Sequence, residues 1–190
     1  MTAGDTASRQ TGDGRLPGDP TPRDYVARTI RVDHAGEYGA KRIYQGQLAV
    51  LRGTKHEETI RHMQEQEQVH LDTFSRHIAA RRVRPTALLP VWHVAGFALG
   101  AVTAAMGARA AMACTVAVEE AIDEHYRAQA ETLGDDEAPL RADIERFRAE
   151  ELEHRDIGLE HEAELTPAYR LLSAAIKAGC KVAIHVSERV

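Results

Sequence analysis

Aromatic residues make up only 5% of this chain of 190, and tryptophan occurs once, so any core must be built from Ala, Leu, Ile and Val. Cysteine occurs twice, as Cys114 and Cys180, and forms no Cys-x-x-Cys pair. Neither a disulfide framework nor a thiolate metal site is therefore indicated. Positive charge is also short: 24 Lys and Arg stand against 29 Asp and Glu, for a net charge of -5. That balance argues against a nucleic-acid partner held by bulk electrostatics, though a local basic patch is compatible with it. No Gly-x-Gly-x-x-Gly nucleotide loop occurs, and no period-two alternation marks a strand. What is plentiful is histidine, ten residues of it among many glutamates, a composition suited to a metal bound through oxygen and nitrogen.

Residues 1–22 are rich in Gly, Pro, Thr and Asp and nearly devoid of apolar side chains, which predicts a disordered arm ahead of a domain over 23–190. The arm lacks the apolar core of a secretory signal, and Asp5, Asp13 and Asp19 oppose a mitochondrial transit peptide. The expectation is a protein that stays in the compartment where it is made. From Asp24 onward helical periodicity is nearly continuous. It predicts helices over about 24–53, 57–82, 109–133 and 139–165, with Pro167 in the first turn of a fifth that nearly reaches the C-terminus.

The apolar stripe of each long helix is interrupted in the same way. Val26, Ile30, Asp33, Glu37, Ala40, Tyr44, Leu48 and Leu51 advance by threes and fours along one face of the first helix, with Glu37 in their midst. Ile60, Met63, Glu67, His70 and Phe74 do so in the second. Met112, Val116, Glu119, Ile122, Tyr126, Ala130 and Leu133 follow in the third, and Leu140, Ile144, Phe147, Glu151, His154, Gly158, His161 and Leu165 in the fourth. Four carboxylates and two imidazoles thus point where apolar side chains belong. Burying even one unpaired carboxylate costs on the order of several kcal/mol, whereas two divalent ions would neutralise all four.

Spacing adds independent support. Glu37 and Glu67 are 30 residues apart and Glu119 and Glu151 are 32 apart, and each second Glu is followed three residues later by His. One pattern occurs twice: Glu, a helical hairpin, then Glu-x-x-His. It matches the inward-facing donors of ferritin-like dimetal carboxylate bundles. The predicted fold is all-α, a ferritin-like four-helix bundle with a long apolar crossover and an additional C-terminal amphipathic helix. Glu37, Glu67, His70, Glu119, Glu151 and His154 are the candidate metal ligands. Asp33 and Asp156 are candidates to orient a ligand imidazole, with a surface ion pair as the alternative for each. Tyr126, seven residues after Glu119, is a candidate for a redox or hydrogen-bonding role. Off the stripes, Glu65, Glu120, Glu150 and Glu153 read as solvated or surface-paired, and His34, His125 and His161 as ordinary helix histidines.

The stretches IRVDHAGEYGA (30–40) and RIYQGQ (42–47) resemble the opening signature of the demethoxyubiquinone hydroxylase family of ubiquinone biosynthesis. RVRPTALLP, GFALGA, AMACTVAVEEAIDEHY, EELEHRDIGLEHEAEL and AGCKVAI continue the resemblance in order, from about residue 23 to the C-terminus. The resemblance implies a membrane-associated monooxygenase with two Fe ions per subunit. It would use O2 to hydroxylate a polyprenyl methoxy-methyl-benzoquinol, with NADH as the ultimate reductant. The family's ligands fall on the six residues named above, and iron rather than manganese rests on the resemblance alone. The implied location is the cytoplasmic face of a bacterial inner membrane, the alternative being the matrix side of the mitochondrial inner membrane. Accessory proteins of the pathway and a homo-oligomer are left open.

Residues 85–108 carry no Lys, Arg, Asp or Glu and are long enough to cross a bilayer. Crossing would put the two half-sites on opposite sides of roughly 30 Å of hydrocarbon, whereas ligands lie about 2 Å from their ion. The segment must instead return to the same bundle. With the last helix (Leu171, Leu172, Ile176, Val182 and Val186, flanked by Arg170, Lys177 and Lys181) it is expected to form an apolar surface lying on a membrane. Burial within an oligomer is the alternative. Fold and ligands alone also suit a ferroxidase- or peroxidase-type dimetal protein, or a helical scaffold whose Glu and His are incidental.

Overall fold

A computed structural model describes residues 21–190; the expected arm falls almost wholly on residues 1–20, outside the described residues. Six α-helices follow in order: α1 (Pro22–Leu51), α2 (Glu57–Arg81), α3 (Leu89–Ala105), α4 (Ala108–Thr132), α5 (Ala138–Glu160) and α6 (Tyr169–Ser187). Short 3-10 turns at Asp135–Glu137 and Ala163–Leu165 complete the fold, and there is no strand among the described residues. The architecture is the expected all-α bundle.

Several boundaries differ from those read off the periodicity, each for a local reason. α1 starts two residues early because Thr21 is its N-cap. Thr21 Oγ1 accepts from the backbone N–H of Asp24 at 3.1 Å, and Asp24 Oδ2 accepts from that of Thr21 at 3.0 Å, a reciprocal capping box. α5 ends at Glu160 because Glu162 turns into the left-handed region, with φ 61°. Pro167 lies ahead of α6 rather than in its first turn, since left-handed Ala168 is the N-cap.

The helices stack in three layers. α1 and α4 form the middle, α2 packs on α1 and α5 on α4 on one side, and α3 and α6 cover the other. α3 carries the chain back along the bundle, so the hairpin α4–α5 starts at the opposite end from α1–α2. The two hairpins are therefore related by a pseudo-twofold. Between them lie two apolar clusters. One contains Ile30, Phe74, Tyr126, Leu140, Ile144 and Phe147, and the other Tyr44, Leu48, Met63, Met112 and Val116. At roughly 1.5–3 kcal/mol per buried large side chain, they clamp the polar layer between them from both ends.

The uncharged crossover is helical over Leu89–Ala105. It lies so close to α1 that a β-carbon on Gly100 would sit 1.9 Å from the Ile43 carbonyl oxygen, and one on Gly46 2.2 Å from that of Phe97. Its outer face leaves Val94 66% and Val102 59% exposed, and α6 leaves Leu171 72% and Val182 62% exposed. The other α6 residues expected on that face divide differently. Ile176 is buried against α4, with Leu172 half-buried beside it. Lys177 pairs with Glu120 and Lys181 with Glu124 of α4. Both cysteines are free. Among the described residues, no helix is long and apolar enough to cross a membrane.

Candidate metal centre

The polar layer between the two apolar clusters brings all six predicted ligands together. Each comes from the middle of its helix, and each is no more than 1% exposed. Glu37, Glu67, His70 and Glu151 form one group, and Glu67, Glu119, Glu151 and His154 a second, with donor atoms within 4.8 Å of one another in each. Glu67 and Glu151 belong to both, so the groups share an edge made of two carboxylates. His70 Nδ1 lies 3.3 Å from Glu37 Oε2 and 3.2 Å from Glu151 Oε1. His154 Nδ1 lies 3.2 Å from Glu151 Oε2 and 3.4 Å from Glu67 Oε1. Such separations match the edges of a coordination shell with bonds of about 2 Å.

The atoms that converge here make no hydrogen bonds. Glu37 Oε2, both oxygens of Glu67 and of Glu151, Glu119 Oε2, and Nδ1 of His70 and of His154 are all buried without a partner. An orphaned buried polar atom costs roughly 1–3 kcal/mol, so eight in one pocket suit a cation site better than a core. The donor set of hard carboxylates and imidazoles fits two divalent ions.

The outward atoms of the same side chains are held, and the holding crosses between hairpins. His70 Nε2 meets Glu150 Oε2 at 2.7 Å, and His154 Nε2 meets Gln66 Oε1 at 3.0 Å. With carboxylate and amide oxygens as acceptors, each Nε2 carries the proton and each Nδ1 presents its lone pair inward. Tyr44 donates to Glu119 Oε1 at 2.7 Å, and Tyr126 donates to Glu37 Oε1. The residue before the glutamate of one Glu-x-x-His motif thus steadies the histidine of the other. Likewise, the tyrosine seven residues after one lone glutamate steadies the other lone glutamate.

Asp33 and Asp156 do not have the orienting role considered for them. Asp33 is buried but accepts from Gln129 Nε2 at 2.7 Å, with His125 Nε2 at 3.5 Å. Asp156 is exposed and pairs with its neighbour Arg155 at 2.6 Å. The imidazoles are oriented by Gln66 and by Glu150, which the stripe pattern had set aside as surface. Tyr126 takes the hydrogen-bonding role.

Electrostatics follow from burial among like charges. Burial, then the Glu151 carboxylate, pushes Glu67 and Glu119 well above the usual carboxylate range. Burial also works against Glu151, but His154 and His70 outweigh it and hold that group at about 2. Burial opposes protonation of His70, yet the Glu151 and Glu37 carboxylates raise it to about 12, and His154 is raised in the same way, chiefly by Glu151. Without metal the pocket therefore retains protons.

Comparison with known proteins places this geometry in context. The family described as ubiquinone biosynthesis protein COQ7 matches residues 24–187. A 3-demethoxyubiquinol 3-hydroxylase from Rhodospirillum rubrum is 61% identical over 185 residues, covering 97% of this chain and 87% of its own. The NADPH-dependent 3-demethoxyubiquinone 3-hydroxylase, mitochondrial, of Homo sapiens is 54% identical over 176 residues, 90% of this chain and 81% of its own. The 5-demethoxyubiquinone hydroxylase, mitochondrial, of Saccharomyces cerevisiae is 38% identical over 183 residues, 87% of this chain and 78% of its own.

Proposed function

The chain belongs to the family of ubiquinone biosynthesis protein COQ7, and from that premise we propose that it hydroxylates the ring of demethoxyubiquinol, a polyprenyl methoxy-methyl-benzoquinol, with O2 and two iron ions. The observation that carries the reading is the pair of four-residue groups sharing Glu67 and Glu151. Glu37 and His70 would hold one ion and Glu119 and His154 the other, with the two shared glutamates serving both. Ferrous ions held there would supply the two electrons that reduce O2, and hydroxylation would place one oxygen atom on the ring and release the other as water, with two protons taken up. Iron is chosen over manganese on the family resemblance, because the ligand types admit both.

The chain's own residues prepare the site. Gln66 and Glu150 keep the imidazole lone pairs aimed inward, and Tyr44 and Tyr126 fix one oxygen each of Glu119 and Glu37. Phe74, Phe147, Met63 and Met112, all at most 1% exposed, keep bulk water from the carboxylates. The four carboxylates balance two divalent ions, so loading discharges the pocket.

The reductant is a reduced nicotinamide dinucleotide. The resemblance suggested NADH, while the mammalian relatives' names specify NADPH dependence, which favours the phosphorylated form. The polyprenyl tail points to a membrane surface, and the outward valines and leucine of α3 and α6 supply an apolar face for it. A peripheral position on the cytoplasmic side of a bacterial inner membrane suits a chain 61% identical to a relative whose name carries no mitochondrial label. The helices from residue 23 onward serve as one catalytic domain.

The test is turnover of a short-tailed demethoxyubiquinol by iron-loaded protein with O2 and NADPH or NADH. One hydroxylated quinol per nicotinamide oxidised is expected. Nicotinamide or ferrous oxidation without hydroxylated product would redirect the reading to a peroxidase- or ferroxidase-type dimetal protein.

A further inference from the structure

At the end of the bundle where α1 stops and α2 starts, two imidazoles from different hairpins meet outside the candidate metal centre. His56 stands directly ahead of α2 and His161 directly after α5. Their ring centroids are 5.5 Å apart and their planes inclined at 61°. Two imidazoles bound to one ion through nitrogens at about 2.0–2.1 Å, in a tetrahedral arrangement, have ring centroids about 5–6 Å apart. The pair has that spacing.

Each ring also has a nitrogen to give. His161 Nδ1 donates to the Ile157 carbonyl at 2.9 Å, which leaves the lone pair on Nε2. A backbone carbonyl is a common partner for the outer N–H of a metal-bound histidine. His56 occupies the N-cap of α2, where a side chain ordinarily accepts from the first N–H groups of the helix, yet its ring makes no such bond. Its Nδ1 is buried without a partner. Burial, then His161 and Lys55, hold the His56 imidazole below the usual histidine range, so it is neutral at pH 7 and its lone pair is available. Both rings line a cavity of about 470 Å3, which leaves room for the rest of a coordination shell. Thr166, 4% exposed, lines it too, and its Oγ1 has no partner. Of the cationic side chains there, Arg109 is paired with Glu162 through Nε at 3.0 Å, and Lys55 is exposed.

We propose that His56 and His161 bind one divalent transition-metal ion, with water in its remaining positions, and that the ion pins the α1–α2 turn to the end of α5. The site uses none of the residues of the dimetal centre and does not depend on the hydroxylase reading. Imidazole nitrogen suits zinc, copper and nickel, and holds each of them more tightly than ferrous iron. Zinc, which has no redox chemistry, is the probe.

The iron-loaded full chain, kept anaerobic and freed of excess iron, is titrated with Zn2+ against a chromophoric chelator. One zinc per chain is expected to bind beyond the iron already held. X-ray absorption at the zinc edge, which iron does not contribute to, should show two imidazoles with oxygen ligands. His56→Gln and His161→Gln should each lower zinc affinity about tenfold or more, since loss of even an orienting partner costs about 10- to 100-fold. Both rings are half-exposed, so without zinc each variant should melt as the parent does. Zinc should raise the melting temperature of the parent and leave that of the variants unchanged, because an ion bound only by the folded chain stabilises it. A zinc with one imidazole among carboxylates, or iron released as zinc binds, would put the zinc in the dimetal centre and overturn the proposal. So would undiminished affinity in both variants, or no zinc bound beyond the iron.

Discussion

Each histidine of the candidate metal centre is aimed by a residue that stands one place before a glutamate in the opposite hairpin: Gln66 for His154 and Glu150 for His70. The six candidate ligands were legible in the sequence because a carboxylate inside an apolar stripe is a conflict visible within one helix. Gln66, Glu150 and Tyr44 were not, because their partners lie on other helices and only packing decides which outward atoms meet. The doubled offsets, one before each Glu-x-x-His and seven after each lone Glu, are the signal that finds them once the pseudo-twofold is known. Replacing Glu150 by Ala should weaken iron affinity about 10- to 100-fold, as loss of an orienting partner does. Asp156→Asn should leave it unchanged, and chelator competition measures both. The protons retained in the empty pocket give a second expectation. Glu67 and Glu119 are raised above 4.5, and His70 and His154 above 6.5, so the folded metal-free chain binds more protons than the unfolded one. Its stability should fall as pH rises from about 4.5 through neutrality and on toward 12. Glu151, held at about 2, acts oppositely only at the acid end, losing its contribution as pH falls from 4.5 to 2. Iron loading is expected to displace the protons and to flatten the profile, which denaturant unfolding at a series of pH values reads directly. A metal-free stability that increased from pH 6 to 9 would contradict this account.

Among the helices, α1, α2, α4 and α5 announce themselves through 3.6-residue periodicity, because each has one apolar and one charged face. α3 has no such contrast. With no charged residue in it, the sequence says that the segment is apolar but not which side meets the protein. Backbone proximity decides that: Gly100 and Gly96 of α3 lie against Ile43 and Gly39 of α1, while Gly46 receives Phe97. The turns were misjudged for a related reason, since left-handed Glu162 and Ala168 are residues that composition does not mark as turn formers. Gly100→Ala puts a β-carbon into a backbone carbonyl that cannot move alone, so α3 must shift outward. The expected cost is about 1–3 kcal/mol, read by urea unfolding. Gly36→Ala, on the exposed face of α1 with nothing within 4 Å of its β-carbon, should instead stabilise by up to about 1 kcal/mol.

As a whole the molecule is two-sided across its three layers, and the asymmetry bears on how a polyprenyl substrate is met. α2 and α5 are braced on their outer side by ion pairs such as His77–Asp143 and Arg81–Glu137. The outer side of α3 and α6 offers Val91, Val94, Val102, Met106, Leu171 and Val182, each more than half exposed. Trp92 Nε1 donates to Ser187 Oγ at 3.0 Å and ties the start of α3 to the end of α6, so the two helices form one continuous face. The lysines of α6 nearest that face are drawn back to Glu120 and Glu124 of α4, which leaves it less polar than the sequence suggests. Returning six such side chains to hydrocarbon, at roughly 25 cal/mol per Å2 of apolar area, is worth several kcal/mol. That is ample for reversible docking and far short of a spanning segment. Val94→Asp with Val182→Asp should remove most of it, because each aspartate forfeits its valine's contribution and adds a charge to be desolvated. In liposome flotation the parent should rise with the vesicles and the double variant stay in the dense fraction. Both substitutions lie on exposed outer faces, so two ions per chain should still bind. Turnover of a long-tailed quinol should fall about tenfold or more, while a water-soluble short-tailed analogue should be hydroxylated at the parent rate. A parent protein that stays wholly unbound would sink the membrane role of this face. Equal losses for long and short tails would place the effect of the substitutions in the bundle rather than at a lipid surface.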